Sequence, residues 1–227
     1  MSLTSALSVT PGITAVIGSG GKTSMLSALA RELSDTHTVI LATSTHILPF
    51  PDLPLLTQAD PKLLSAQVRE RLKSERILSV GTALENGKLT APALSFAGLA
   101  KLADYVIVEA DGSRRLPVKA HAGHEPVIPD DTNNVICVLG ASGFARPIRE
   151  AVHRFEIYCA LTGRDADDPV TPSDAVNAIR KEGFADRIFV NQADLADAAM
   201  LHEAAQAAGN LPLLAGTLRP GVTCFTP

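Results

Sequence analysis

The run Gly18-Ser19-Gly20-Gly21-Lys22-Thr23-Ser24 directly follows the apolar stretch Ile13-Thr14-Ala15-Val16-Ile17. A strand that ends in glycines can curl back, and here a lysine and a hydroxyl follow at the mouth of a helix. Such a turn aims backbone N–H groups, a helix N-terminus and one cation at a single point, an arrangement suited to phosphate. On this reading Gly18, Ser19, Gly20, Gly21, Lys22, Thr23 and Ser24 bind phosphates, Lys22 reaches the β- and γ-phosphates, and Thr23 holds a Mg²⁺. The spacing departs from the usual pattern, because Val16 stands five positions before Gly21 where a glycine is expected. The dinucleotide fingerprint G-x-G-x-x-G fails as well, with Thr23 in place of its third glycine. The competing reading is a plain glycine-rich strand-to-helix turn, and Lys22 beside Thr23 argues against it.

Further polar groups stand at other strand ends. Asp111 follows the apolar run Tyr105-Val106-Ile107-Val108, where phosphate-binding proteins place a carboxylate for Mg²⁺. Glu109, two positions earlier, could share that role or orient an attacking water. Asn191-Gln192-Ala193-Asp194 follows Ile188-Phe189-Val190 and resembles the N-K-x-D element with which GTPases read guanine, Gln192 replacing the lysine. A carboxylate at Asp194 accepts from two donors on the guanine edge, a match adenine does not offer. The alternative for Asp194 is to cap the next helix. Arg114, Arg115 and Lys119 follow Asp111 and suit a phosphate or an anionic second substrate. His121, His124 and Glu125 hint at metal ligation, but Pro126 and Pro129 break the helix that would align them, so hydrogen-bonding histidines are expected instead.

Strands alternating with helices must carry these groups. Residues 22–34 read as a helix, with Met25, Leu26, Leu29 and Leu33 at helical spacing. Val39 to Ala42 is a buried strand, Asp60-Pro61 opens a helix through about Leu72, and Asn86-Gly87 turns a hairpin inserted at about 76–91. Pro92 opens a helix to about Leu102, and a long loop spans residues 111–132. Val135 to Leu139 is a strand, helices follow at roughly 147–162 and 172–182, and after Arg187 to Val190 a helix runs to about Ala208 before Leu211 to Leu214. The expectation is one α/β domain over 1–227, a mostly parallel doubly wound sheet, P-loop NTPase-like, with ligands at the carboxyl ends of its strands.

Composition narrows the partners. With 227 residues, a formal net charge of −4 and 4% aromatic residues without tryptophan, the chain offers neither a basic field nor stacking platforms for nucleic acid. Three scattered cysteines make neither a disulfide framework nor a zinc site. There is no apolar run of membrane-spanning length and no export-type leader, so a cytoplasmic protein is expected.

Three segments in order, the Gly18–Ser24 turn, Glu109-Ala110-Asp111-Gly112-Ser113-Arg114-Arg115-Leu116-Pro117-Val118-Lys119-Ala120, and His124-Glu125-Pro126-Val127-Ile128-Pro129, resemble the YqeC family. Its members are named as accessory proteins of selenium-dependent hydroxylases. The resemblance implies a nucleotide-binding protein that assists maturation of selenium-dependent molybdenum hydroxylases, with a hydroxylase or its cofactor-assembly proteins as partners. It singles out Lys22, Thr23, Asp111, Arg114, Arg115, Lys119, His124 and Glu125. The activity expected is a Mg²⁺-dependent GTP or ATP hydrolase or switch, with Lys22, Glu109 and Arg114 as its catalytic residues. The alternatives are a non-hydrolytic carrier of nucleotide or molybdopterin, and a small-molecule kinase or transferase.

Overall fold

A computed structural model describes residues 2–219 and 222–227. Met1, Pro220 and Gly221, which fall within the expected 1–227 domain, lie outside the described residues. In chain order the elements are α1 (Leu3–Ala6), β1 (Gly12–Gly18), α2 (Lys22–Leu33), β2 (Val39–Thr43), β3 (Leu55–Leu56), α3 (Pro61–Arg71), β4 (Ile77–Val80), β5 (Thr82–Ala83), β6 (Leu89–Thr90), α4 (Phe96–Ala100) and β7 (Tyr105–Glu109). The second half carries β8 (Val118–Lys119), β9 (Thr132–Gly140), α5 (Ile148–Ala151), β10 (Val152–His153), α6 (Phe155–Thr162), α7 (Pro172–Glu182), β11 (Arg187–Asn191), α8 (Ala198–Ala208), β12 (Leu213–Thr217) and β13 (Thr223–Phe225).

The fold is α/β. Nine strands form one sheet in the order β13-β12-β11-β9-β1-β7-β2-β4-β3. Every neighbouring pair is parallel except β12 and β13. Strand side chains alternate between the two faces, and both faces are apolar. On one, α1 and α2 cover Val16, Leu41, Ile107, Val138 and Phe189. On the other, α3 and α4 cover Ile40, Val106 and Val108, while α6, α7 and α8 cover Ile17, Cys137 and Val190. A strand buried on both faces reads as a continuous apolar run, which is why β1, β2, β7, β9 and β11 were visible in the sequence.

Local chemistry sets the helix starts. Asp60 accepts from the N–H groups of Lys62 and Leu63 at 2.8 and 2.9 Å, with Pro61 in the first turn of α3. The helix expected from Pro92 begins only at Phe96, because Ser95 supplies the cap. The helix expected over 147–162 is interrupted. Val152–His153 extends as β10 to pair with Val118–Lys119 of the long loop, in a separate parallel sheet. The hairpin is also shorter than the expected span of about 76–91. Ile77–Val80 belongs to the main sheet, and only β5 and β6 form the hairpin around Asn86-Gly87. No helix among the described residues is long and apolar enough to cross a membrane.

The order places β1 between β7 and β9, with β11 next. Register pairs Val16 with Glu109, Gly18 with Val138 and Gly140 with Asn191. The Gly18 turn, the Glu109–Asp111 segment, Gly140 and Asn191 thus share one sheet edge.

Phe189, fully buried in β11, tests this layering. Phe189→Ala is expected to lower the unfolding free energy by about 3–5 kcal/mol in urea titrations. A loss below about 1 kcal/mol, the ordinary effect of a point mutation, would place that strand outside the core.

Candidate functional site

The turn after β1 has conformations that glycine supplies. Gly18, Gly20 and Gly21 have φ of +88°, +82° and +136°, a region that side chains disfavour. A Cβ on Gly20 would lie 2.4 Å from Gly140 Cα and 2.7 Å from the Pro117 carbonyl oxygen, and one on Gly18 would lie 2.3 Å from the Val138 carbonyl. The backbone is pinned on both sides. Ser19 N–H donates to the Val138 carbonyl at 2.8 Å, and the Ser19 hydroxyl donates to the Leu116 carbonyl. Asn191 donates to the Gly20 carbonyl at 2.8 Å and accepts from Leu218 N–H at 3.2 Å. Asn191 is therefore a brace for the turn. Gly21 precedes α2 with no side-chain cap, so the first N–H groups of that helix face the cleft above it.

Beneath the turn lies a cluster of buried charges. Asp111 is fully buried and accepts from Gly18 N–H at 2.7 Å. Its Oδ2 also faces Lys119 Nζ at 3.2 Å and His121 Nε2 at 2.7 Å. Its Oδ1 makes no hydrogen bond among the described residues, and Lys22 Nζ meets its charge at 3.0 Å. Lys22 also donates to the Gly18 carbonyl at 2.9 Å. On the far side His121 Nδ1 faces Glu182 Oε2 at 2.7 Å. Both imidazole nitrogens thus meet carboxylates, which only accept, so the doubly protonated ring fits best.

The titration directions agree with this geometry. Burial alone pushes the Asp111 carboxyl up, but Lys22, the His121 hydrogen bond and Lys119 outweigh it and hold it down at about 2. Burial pushes His121 down, yet hydrogen bonds to Asp111 and Glu182 leave it raised. Glu109 moves the other way. Burial raises it, and the neighbouring Lys22, 3.8 Å away, offsets this only in part.

Asp111, expected to share a metal ion with Thr23, makes its contacts with Gly18, Lys22, Lys119 and His121. The Asp111 carboxylate is committed inward, and Glu109 Oε2 stands 3.4 Å from the Thr23 hydroxyl, which donates to it. Lys119 and Glu125 are likewise internal. The buried Lys119 ammonium bonds the Gly112 carbonyl and sits 2.5 Å from Glu125, which also meets Arg154 at 3.2 Å. His124 is exposed, with Nε2 3.4 Å from an Arg154 nitrogen. Among the described residues no three His, Cys, Asp or Glu side chains gather as a metal centre.

A cleft of about 630 Å³ opens over the turn. Gly20, Gly21, Lys22, Thr23 and Ser24 form its floor, with Glu109 beside them. At one end stand Asp194, Leu195 and Leu218. Asp194 does not cap α8, since Asp197 does so by accepting from Met200 N–H at 2.8 Å. Asp194 instead accepts from the Thr217 hydroxyl at 2.9 Å, and it belongs to a 3₁₀ turn whose Asp194 and Leu195 line the cleft. Arg115 lines the cleft and Arg114 does not. Sequence reasoning missed Arg146, Leu195 and Thr217, although the first two lie beyond the ends of parallel strands and Thr217 closes one, where ligands gather. Nothing in the sequence flagged Glu182, which lies 61 positions from the histidine it meets.

The model of the family described as YqeC protein matches residues 14–156. That span holds the turn, Glu109 to Glu125 and Arg146, and ends before the Asp194 wall. The chain is also similar to the "Uncharacterized protein YqeC" of Escherichia coli (strain K12), 33% identical over 177 residues, which cover 75% of this chain and 68% of that protein.

Two outcomes follow. Gly20→Ala is expected to cost about 1–3 kcal/mol of stability in urea unfolding, since the added methyl meets backbone on both sides; an unchanged midpoint would contradict the close packing. For His121, a raised folded-state value adds stability that is complete below the unfolded value near 6.5 and fades as pH rises through the folded one. The stability gap between wild type and His121→Gln should therefore narrow as pH is raised from 5 to 9. A gap that widens over that range would reverse the assignment.

Proposed function

The chain belongs to the YqeC family, and we propose that it is a P-loop NTPase-like protein, one domain over 1–227, that binds a nucleoside triphosphate, GTP in preference to ATP, in the cleft over Gly18–Ser24. One observation carries the reading. Three glycines in positive-φ conformations, packed too tightly for any side chain, deliver an uncapped helix N-terminus and a buried lysine to the floor of an open cleft. Backbone N–H groups of that kind complement phosphate oxygens.

The donor set also fits Mg²⁺, which takes one or two oxygen ligands from protein and completes its shell with phosphate and water. Thr23 and Glu109, 3.4 Å apart at the cleft floor, are the groups that would hold it. When bound, the ion neutralises charge on the phosphates. Asp111 takes a different part. It fixes Gly18 N–H and holds the Lys22 ammonium beneath the turn until phosphate oxygens replace it as that ammonium's partner. Glu109, whose carboxyl burial raises, would orient a water for slow hydrolysis. Of the two adjacent arginines, Arg115 lines the cleft and Arg114 does not.

At the base end, Leu195 and Leu218 offer apolar faces and Asp194 an acceptor edge, which favours guanine. The family resemblance supports an accessory role in maturation of selenium-dependent molybdenum hydroxylases, with a hydroxylase or its cofactor-assembly proteins as partners, while the acidic charge balance and few aromatic residues speak against a nucleic-acid partner.

Melting curves test the assignment. A nucleotide at a hundredfold its Kd stabilises by about 2.7 kcal/mol, or about 5–11 °C for a chain of this size. GTP with Mg²⁺ should give that shift, ATP a smaller one, and Lys22→Ala should remove most of it. Asp194→Asn presents a donor where guanine also donates, so preference should move to xanthosine triphosphate, which accepts there. Equal shifts with GTP and ATP would discard the role of Asp194, and no shift with either would discard the nucleotide.

A further inference from the structure

Beside the surfaces assigned to phosphate and base, the cleft has a third wall. Arg115 and Arg146 line it, together with Ser113 and Ser142. The wall comes from two segments that are locked together. Pro117 accepts from Gly140 N–H at 2.9 Å, and a Cβ on Gly143 would lie 2.6 Å from a Val118 methyl. The segment from β7 crosses above the turn, tied to it by the Ser19 hydroxyl on the Leu116 carbonyl. The segment after β9 is held by Val170 N–H on the Arg146 carbonyl at 2.8 Å. Both arginines thus stand on fixed backbone at the rim of one cleft.

Their charges are unmatched there. Arg115 makes no ion pair or hydrogen bond among the described residues. Among the described residues the Arg146 side chain meets only Glu150, at 3.9 Å, with both side chains about half exposed. The two carboxylates that line the cleft are engaged elsewhere, Glu109 by Thr23 and Lys22, and Asp194 by Thr217. The backbone under Arg115 is also unusual, since Arg114 and Arg115 have φ of +47° and +62° in succession. Non-glycine residues held in that region are a recognised mark of functional positions. This conformation turns Arg115 into the cleft and leaves Arg114 outside it. Paired guanidinium forks flanked by hydroxyls suit a planar or tetrahedral oxyanion.

We propose that Arg115 and Arg146, with the hydroxyls of Ser113 and Ser142, form a second anion subsite that takes the phosphate or carboxylate of an acceptor molecule held in the cleft together with the nucleotide. The inference rests on the nucleotide reading above. It makes the cleft a two-substrate site: where the acceptor stands in place of water, one of its oxygens bonds the terminal phosphorus as that phosphorus parts from the oxygen bridging to the β-phosphate, and nucleoside diphosphate leaves.

Calorimetric titration separates the possibilities. The full chain is first saturated with Mg²⁺ and the non-hydrolysable guanosine imidotriphosphate, so that the terminal-phosphate position is filled. Inorganic phosphate and malonate are then titrated in separate arms, which tell a phosphate site from a carboxylate site. Binding of at least one is expected, weakened about tenfold or more by Arg115→Ala and by Arg146→Ala. Both arginines are exposed, and unchanged melting temperatures will establish that the variants fold. Phosphate binding only to the GDP form would mean that Arg115 serves the nucleotide's own terminal phosphate, and would overturn the subsite. Binding of neither probe would do the same. Should the imidotriphosphate itself fail to bind, the nucleotide reading fails separately. The probes are then titrated into free Lys22→Ala protein, where binding lost on Arg115→Ala keeps the subsite and binding insensitive to it removes it.

Discussion

The fully buried carboxylate of Asp111 organises everything above it. A lone charge in that position would be untenable, since an ionised group in a protein interior must be paired and hydrogen-bonded. Here the Gly18 amide, Lys22, Lys119 and His121 converge on its two oxygens. These four partners come from three separate pieces of the structure. Gly18 and Lys22 belong to the turn, Lys119 closes the long loop onto Gly112 and Glu125, and His121 reaches Glu182 at the end of α7. One anion thus ties the turn, the loop and a distant helix together beneath the cleft.

Two carboxylates from one strand end meet opposite fates. Glu109 stops at the cleft floor, where burial is only partly compensated, and its carboxyl is raised. Asp111, two residues on, passes beneath the turn among three cations and is lowered to about 2. Groups whose environments drive their protonation apart in this way divide labour in many sites. One is a structural anion beneath the turn, and the other lines the floor of the cleft.

The sheet was legible because strands covered on both faces carry long apolar runs, as Val135 to Leu139 and Ile188 to Val190 do. Their parallel order then follows from the intervening helices, and the polar strand ends fall on one edge. Short elements were not legible. The pairing of Val118–Lys119 with Val152–His153 joins two dipeptides without periodicity, and it divides what reads as one helix. Within the site, the Gly18–Thr23 turn was plain, because glycine spacing and a following lysine report directly on backbone conformation. The partners of Asp111 were less so. A sequence gives the presence of a carboxylate at a strand end but not its direction, and the inward turn depends on Lys119 and His121 arriving from a loop. Arg114 and Arg115 are adjacent in sequence, and only their left-handed backbone decides which enters the cleft.

Amide NMR of uniformly ¹⁵N-labelled protein, followed as GTP and Mg²⁺ are added, tests the central claim most directly. The account predicts the largest shifts at Gly20, Gly21, Lys22 and Thr23, with a smaller change at Gly18 as Lys22 leaves Asp111. Saturable binding that leaves those amides unmoved while others shift would contradict it.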